Sequence, residues 1–222
     1  MTARRLQRDV LVAAGTLNLE GTLTLPPGAR GIVLFAHGSG SSRHSPRNRA
    51  VAGVLQEAGL ATLLFDLLTA QEEAVDQVTA HLRFDIGLLA ARLVAATDWV
   101  KEQAGTQELA QAYFGASTGG GAALVAAAER PEVVRAVVSR GGRPDLAGAA
   151  LSRVRAPTLL IVGGDDAPVI QINREALGQV RAPAKLVVVP GAGHLFEEPG
   201  TLEEVARLAR DWFLEQFRAE DR

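Results

Sequence analysis

Gln111-Ala112-Tyr113-Phe114-Gly115-Ala116-Ser117-Thr118-Gly119-Gly120-Gly121-Ala122-Ala123 reads as a short apolar strand, a sharp turn and the start of an alanine-rich helix. The turn carries Gly-x-Ser-x-Gly with Ser117 at its centre. A serine on such a turn is held in a strained backbone conformation that pushes its hydroxyl out of the sheet edge. Gly115 and Gly119 are needed because a Cβ at either position would collide with the neighbouring strand or helix. The helix that follows aims its positive end at the serine, which favours a developing oxyanion. In a chain with 23 glycines among 222 residues the same pattern also describes an ordinary glycine-serine turn. The strand before it and the helix after it are the context that the functional reading requires.

Working outward, Asp9 to Ala13 and Thr16 to Leu25 form an antiparallel hairpin around Gly15, closed by Pro26-Pro27-Gly28. Gly31 to His37 and Ala61 to Phe65 are continuous apolar runs, the mark of strands buried on both faces of a parallel sheet. Between them Pro46 opens a helix to about Ala58, which Gly59 ends. Leu67 to Leu82 is polar and helix-prone without strong caps, and a long helix runs from about Phe84 to Gln103. Val133 to Ser139, Pro157 to Val162 and Lys185 to Val189 are further strands. Asn173 to Val180 and Leu202 to Phe217 are helices. This alternation specifies one α/β domain over residues 1–222: a mostly parallel sheet of about eight strands with helices on both faces. Sites in such sheets form beyond the carboxyl ends of the strands. Ser39, Asp66, Ser117, Arg140, Asp166 and His194 all stand there.

Composition removes several alternatives. The formal net charge is −2, so the chain lacks the basic excess of a dedicated nucleic-acid binder. There is no cysteine, which excludes disulfides, thiolate metal sites and a cysteine nucleophile. Arg4, Arg5, Arg8 and Asp9 stand where a secretory signal would be apolar, and no apolar run reaches membrane-spanning length. A cytoplasmic protein with no membrane partner, acting as a monomer or homodimer, is the default expectation.

A serine hydroxyl needs a base, and the base needs a third group to fix its tautomer and stabilise its cation. Of His37, His44, His81 and His194, only His194 lies in a glycine-rich loop after the last strand. Asp165 and Asp166 both follow a buried strand; Asp166 is the favoured acid, and a turn in which either caps backbone amides is the plain alternative. The order Ser117, Asp166, His194 is the chain order of an α/β-hydrolase triad.

With His37-Gly38-Ser39-Gly40, Gly115-Ala116-Ser117-Thr118-Gly119 and Gly191-Ala192-Gly193-His194, the chain resembles the α/β-hydrolase superfamily along nearly its whole length. Within it the chain is most similar to the small, lid-poor dienelactone hydrolase-like group. The resemblance implies that the backbone N–H groups of Thr118 and Ser39 form the oxyanion hole. Two features depart from that group: its members use a cysteine nucleophile where this chain has Ser117, and their carboxylate-binding arginines have no assigned counterparts here. The resemblance therefore implies the fold and the triad, not the dienelactone substrate.

The expected activity is hydrolysis of a small-molecule ester through an acyl-enzyme on Ser117, with no metal or organic cofactor. Acyl transfer on the same triad and a non-catalytic ligand-binding protein of the same fold are the alternatives. Arg140 is a candidate ligand for a substrate carboxylate or phosphate, or else a structural partner of Asp145 or Asp66. His37 is a second candidate at the substrate pocket, where it packs or hydrogen-bonds to shape the loop. The segment from Leu67 to Phe84 stands where such proteins insert a cap, and its shortness implies a shallow or open pocket.

Overall fold

The computed structural model describes residues 5–218. Eight strands form one sheet in the order β1-β2-β4-β3-β5-β6-β7-β8. They span Leu6–Ala14 (β1), Leu17–Leu25 (β2), Gly31–Ala36 (β3), Ala61–Phe65 (β4), Ala110–Ala116 (β5), Val134–Arg140 (β6), Thr158–Gly163 (β7) and Ala184–Val189 (β8). β1 and β2 pair antiparallel, and β2 joins β4 antiparallel; every later pairing is parallel. The hairpin thus completes one edge of an otherwise parallel sheet, which is the α/β-hydrolase fold expected from the alternating pattern.

The period of two along each buried strand sorts side chains onto two cores. From β3, Ile32, Leu34 and Ala36 enter one core while Val33 and Phe35 enter the other. Six α-helices flank the sheet: Pro46–Glu57 (α1), Ala70–Thr79 (α2), Ile86–Glu102 (α3), Thr118–Glu129 (α4), Ala167–Leu177 (α5) and Thr201–Arg218 (α6). α1 and α6 cover the face that takes Val33, with Val51, Leu55, Val205 and Phe213. α3 and α4 cover the other, with Leu89, Leu93, Ala123 and Ala127. Among the described residues no helix is long and apolar enough to cross a membrane.

Two local expectations are corrected, and one segment without a sequence expectation takes its own form. The segment after β4 does have a strong cap: Thr69 accepts the N–H of Glu72 while Glu72 accepts the N–H of Thr69, a reciprocal capping box that starts α2. α5 begins at Ala167, not Asn173, because Pro168 in the first turn has the fixed φ a helix start needs. Between β6 and β7 the chain forms 3₁₀ turns over Pro144–Arg153, broken at Gly148, whose φ of 49° no helix admits.

Candidate active site

The turn between β5 and α4 is built from backbone pressed against backbone. Ser117 sits at φ 52° and ψ −121°, a conformation that costs an L-residue about 1–3 kcal/mol and persists only where the surroundings fix it. They do so on three sides. The Ser117 N–H donates to the Arg140 carbonyl at 3.2 Å, and the Ser117 carbonyl accepts from Gly120 at 2.9 Å and Arg143 at 3.1 Å. A Cβ on Gly115 would lie 2.6 Å from the Gly120 Cα, and one on Gly119 would lie 2.6 Å from the His37 carbonyl oxygen. Neither position accepts any side chain. The Ser117 hydroxyl makes no hydrogen bond among the described residues and is left free at the head of α4.

The loops after β7 and β8 are stitched together. The Asp165 N–H donates to the Ala192 carbonyl at 2.9 Å, and the Gly164 N–H to the Val189 carbonyl at 2.8 Å. This brings Asp166 Oδ2 to 2.6 Å from His194 Nδ1. Asp165 is solvent-exposed, and Asp166 is the carboxylate that meets the imidazole. An ionised Asp166 requires Nδ1 to carry the proton, which leaves Nε2 of a neutral ring as an acceptor. The ring lies against Gly141: a Cβ there would be 3.5 Å from Cε1. Gly141 directly follows Arg140, whose carbonyl holds Ser117. Asp166 and His194 are joined by a hydrogen bond; Ser117 and His194 flank the same short piece of chain at the end of β6.

The loop after β3 approaches from the opposite side. A Cβ on Gly38 would lie 3.1 Å from the Ser117 Cβ, so Ser39 and Thr118 stand on either side of the serine. They line a cavity of only about 10 Å³ together with Gly40, Leu68, Glu73, Arg83 and Leu89. As the first residue of α4, Thr118 has an N–H with no partner inside the helix. A larger pocket of about 750 Å³ lies beyond, sharing His37, Gly40, Leu68 and Glu73 and extending to Asn18, Arg43 and His44. This pocket is open to solvent, in keeping with the expected shallow or open pocket, and lies beside the Gly38–Gly40 loop.

His37 is 8% exposed and both of its ring nitrogens are engaged. Nε2 accepts the Leu67 N–H at 3.0 Å, so Nδ1 carries the proton and donates to the Gly38 carbonyl at 3.0 Å. Burial pushes its pKa below the ordinary histidine value, which keeps the ring neutral. It shapes the Gly38–Gly40 loop from beneath and also forms part of the pocket wall.

Arg140 takes neither structural partner expected of it. Asp145 pairs with Arg143 at 2.7 Å, and Asp66 pairs with Arg43. Arg140 is 6% exposed and among the described residues its side chain hydrogen-bonds only Asn48 Oδ1, at 3.5 Å, with its guanidinium 5.8 Å from the centre of the Phe196 ring. Burial, and then the charge of Arg47, pull its pKa down to about 10. Arg47, Asn48 and Phe196 carry no motif that marks them as neighbours of the site. By contrast, the capping pattern Thr69-x-x-Glu72 was readable in the sequence. It starts the small flap that carries Arg83 over the oxyanion loop.

Comparison with known proteins places the fold. The dienelactone hydrolase family profile matches residues 19–218. A crystal structure of dienelactone hydrolase from Anabaena variabilis is 64% identical with a TM-score of 0.95, over 96% of this chain and 99% of that one. Est1E from Butyrivibrio proteoclasticus shares the fold with a TM-score of 0.77 at 18% identity, over 95% of this chain and 99% of that one. A Mycobacterium tuberculosis protein (strain H37Rv), provisionally named as a phosphoribosyl transferase, is 60% identical over 94% of this chain. The chain spans 46% of that relative, about half of its length. With the match running from β2 to the end of α6, the chain belongs to the dienelactone hydrolase family.

Proposed function

We propose that the chain is a serine hydrolase that cleaves a small ester through an acyl-enzyme on Ser117. The observation that carries this reading is the 2.6 Å contact of Asp166 with His194 beside a serine held at positive φ at the head of a helix. In the proposed reaction, His194 Nε2 takes the hydroxyl proton as Ser117 Oγ attacks the ester carbonyl carbon. Asp166 keeps the proton on Nδ1 and stabilises the imidazolium that forms. The N–H groups of Ser39 and Thr118 receive the tetrahedral oxyanion, helped by the positive end of α4. Collapse expels the alcohol, protonated by His194; water deprotonated by His194 then attacks the acyl group and regenerates Ser117.

The transferase name of the Mycobacterium tuberculosis relative is best assigned to the half of that protein this chain does not cover. The half that this chain does cover is 60% identical to it.

The test is labelling with a fluorophosphonate probe followed by peptide mapping. The wild-type chain should be modified at Ser117, and Ser117→Ala should abolish both labelling and turnover of a p-nitrophenyl ester. An unlabelled, correctly folded wild type would overturn the hydrolase reading and leave ligand binding in its place.

A further inference from the structure

We infer that the pocket of about 750 Å³ beside the Gly38–Gly40 loop binds a neutral, polyhydroxylated group, such as a sugar or glycerol unit, with Glu73 as its charged acceptor. That the substrate is an ester carrying such a group rests on the hydrolase reading; the binding of the group does not.

The argument begins with the charges around the two cavities beside the Gly38–Gly40 loop. Each is lined by one guanidinium group, and each guanidinium is already answered. In the larger pocket the Arg43 side chain meets Asp66 and, at 2.5 Å, Glu20, while its N–H donates to Asp66 at 2.7 Å. In the small cavity, Arg83 meets the Asp76 carboxylate at 2.5 Å and the Asp76 carbonyl at 2.8 Å. Glu73 lines both cavities and has no hydrogen bond or ion pair among the described residues. Two guanidinium groups therefore meet three carboxylates, and Glu73 is a fourth with no cation of its own. The field that a ligand enters is negative. It repels an anion and favours a group that donates hydrogen bonds, or a cation.

The rest of the lining chooses between these two. Thr16, Asn18, Ser41 and Gln71 face the same pocket, and none of their side chains has a partner among the described residues. Hydroxyls and amides both donate and accept, which is what the hydroxyls of a polyol require. An organic cation is typically recognised by aromatic faces, and no Phe, Tyr or Trp stands among the described residues that line this pocket. Leu17, 37% exposed, and Leu68 supply an apolar patch for the C–H face of such a ligand. The volume is that of a pocket for a small molecule.

The position links the pocket to the chemistry. It shares Gly40, Leu68 and Glu73 with the small cavity, which Ser39 and Thr118 line beside Ser117. The charge of Glu73 also acts on His37, under the same loop. The walls come from the turn between β1 and β2, the loop after β3 and the start of α2. None of these carries Ser117, Asp166 or His194, so ligand choice is separated from bond cleavage.

Two measurements test the assignment. The first is calorimetric titration of the wild-type chain with methyl β-D-glucopyranoside and with methyl β-D-glucuronide, in which a carboxylate replaces one hydroxymethyl group. Neither is an ester, so hydrolysis does not enter. The neutral glycoside should bind, and the charged one about tenfold more weakly. Glu73→Gln should weaken the first and erase the difference. Asn18→Ala, on a separate element, should weaken the neutral glycoside too, and decides the question should Glu73→Gln fail to fold. The second compares kcat/KM for a methyl glucoside acetylated at its primary hydroxyl, for p-nitrophenyl acetate and for acetylcholine. The sugar acetate should be preferred to acetylcholine, and its ratio to p-nitrophenyl acetate should fall about tenfold in Glu73→Gln, through KM. Absence of saturable binding by the neutral glycoside, or equal binding of both glycosides, overturns the proposal. A preference for acetylcholine that Glu73→Gln removes also overturns it and assigns the pocket to a cation. Fluorophosphonate labelling of Ser117 reports separately: labelling without glycoside binding sinks this inference alone, and glycoside binding without labelling sinks the hydrolase reading alone.

Discussion

The turn at Ser117 and the flap at residues 67–85 face each other across the Gly38–Gly40 loop and are held by opposite means. Ten of the twelve residues of α4 are buried, and the glycines around Ser117 let main chain touch main chain. In α2 only Asp76 is buried, and Val75 and Val78 are exposed at 51% and 87%. Polar clasps hold the flap instead: the Thr69–Glu72 capping box, an ion pair from Glu72 to Arg92 at 2.7 Å, and Asp76 with Arg83 at 2.5 Å. Ser117 is thereby fixed by contacts that no side-chain motion can relax. The wall facing it is fixed by charged contacts that individually exchange with water. A site of this kind combines a rigid reacting atom with an adjustable boundary.

The sharpest way to break that contrast is to force a side chain into the turn. Gly119→Ala would place a Cβ against the carbonyl oxygens of Ala36 and His37, and neither can move without shifting β3. The expected cost is about 3 kcal/mol or more, because backbone cannot step aside as a side chain can. Urea unfolding would measure it, and the surviving folded fraction should have lost most of its esterase activity. A Gly119→Ala protein as stable and active as wild type would show that the turn is not fixed by these contacts.

The same contrast explains what the sequence disclosed. Rigid features follow from short-range rules: Gly-x-Ser-x-Gly, apolar runs for buried strands, Pro46 as a helix start and Gly59 as its stop. These placed the sheet, the Ser117 turn and the Asp166 and His194 loops. The flap depended on weaker signals. Thr69-x-x-Glu72 was in plain view as a capping pattern, yet its polar surroundings concealed it. Asp76 and Arg83 lie seven residues apart, a spacing with no meaning until Ala80 turns left-handed at φ 54° and folds the chain back. Arg140 shows the same limit. Its place at the end of a strand was legible, but which acids its neighbours would claim depended on the packing of loops distant in sequence.

Loosening the flap should have a smaller and more local effect. Burial alone would raise the pKa of the Asp76 carboxyl. The side chain of Arg83, its N–H and that of Leu82 outweigh burial and hold it below the ordinary carboxylate range. A group so shifted contributes its stability above the unfolded-state pKa, and that contribution is lost as pH falls through the folded-state value. Asp76→Asn removes the charge at all pH values. Amide exchange across residues 70–85 should then quicken about tenfold or more, with the amides of β5 and α4 unchanged. Equal acceleration in both regions would mean that the flap and the turn unfold together, and the contrast drawn between them would fail.

The smallest expected effect is at the joint between the two regions. His37 sits under the oxyanion loop and accepts the N–H of Leu67, the first residue of the flap segment. A protonated ring has no lone pair at Nε2 for that N–H, so the folded state holds the neutral form and its pKa is depressed. The sign follows from that depression. Above the unfolded value of about 6.5 nothing is lost; as pH falls below it, the unfolded chain binds a proton that the folded chain refuses, and stability declines until the folded-state pKa is passed. His37→Gln keeps a side-chain acceptor but cannot bind a proton in this range. Stability measured by urea unfolding between pH 7 and pH 5 should therefore fall less steeply in the variant than in the wild type. Parallel slopes would mean that the ring is not locked neutral, and that the oxyanion loop and the flap move without reference to each other.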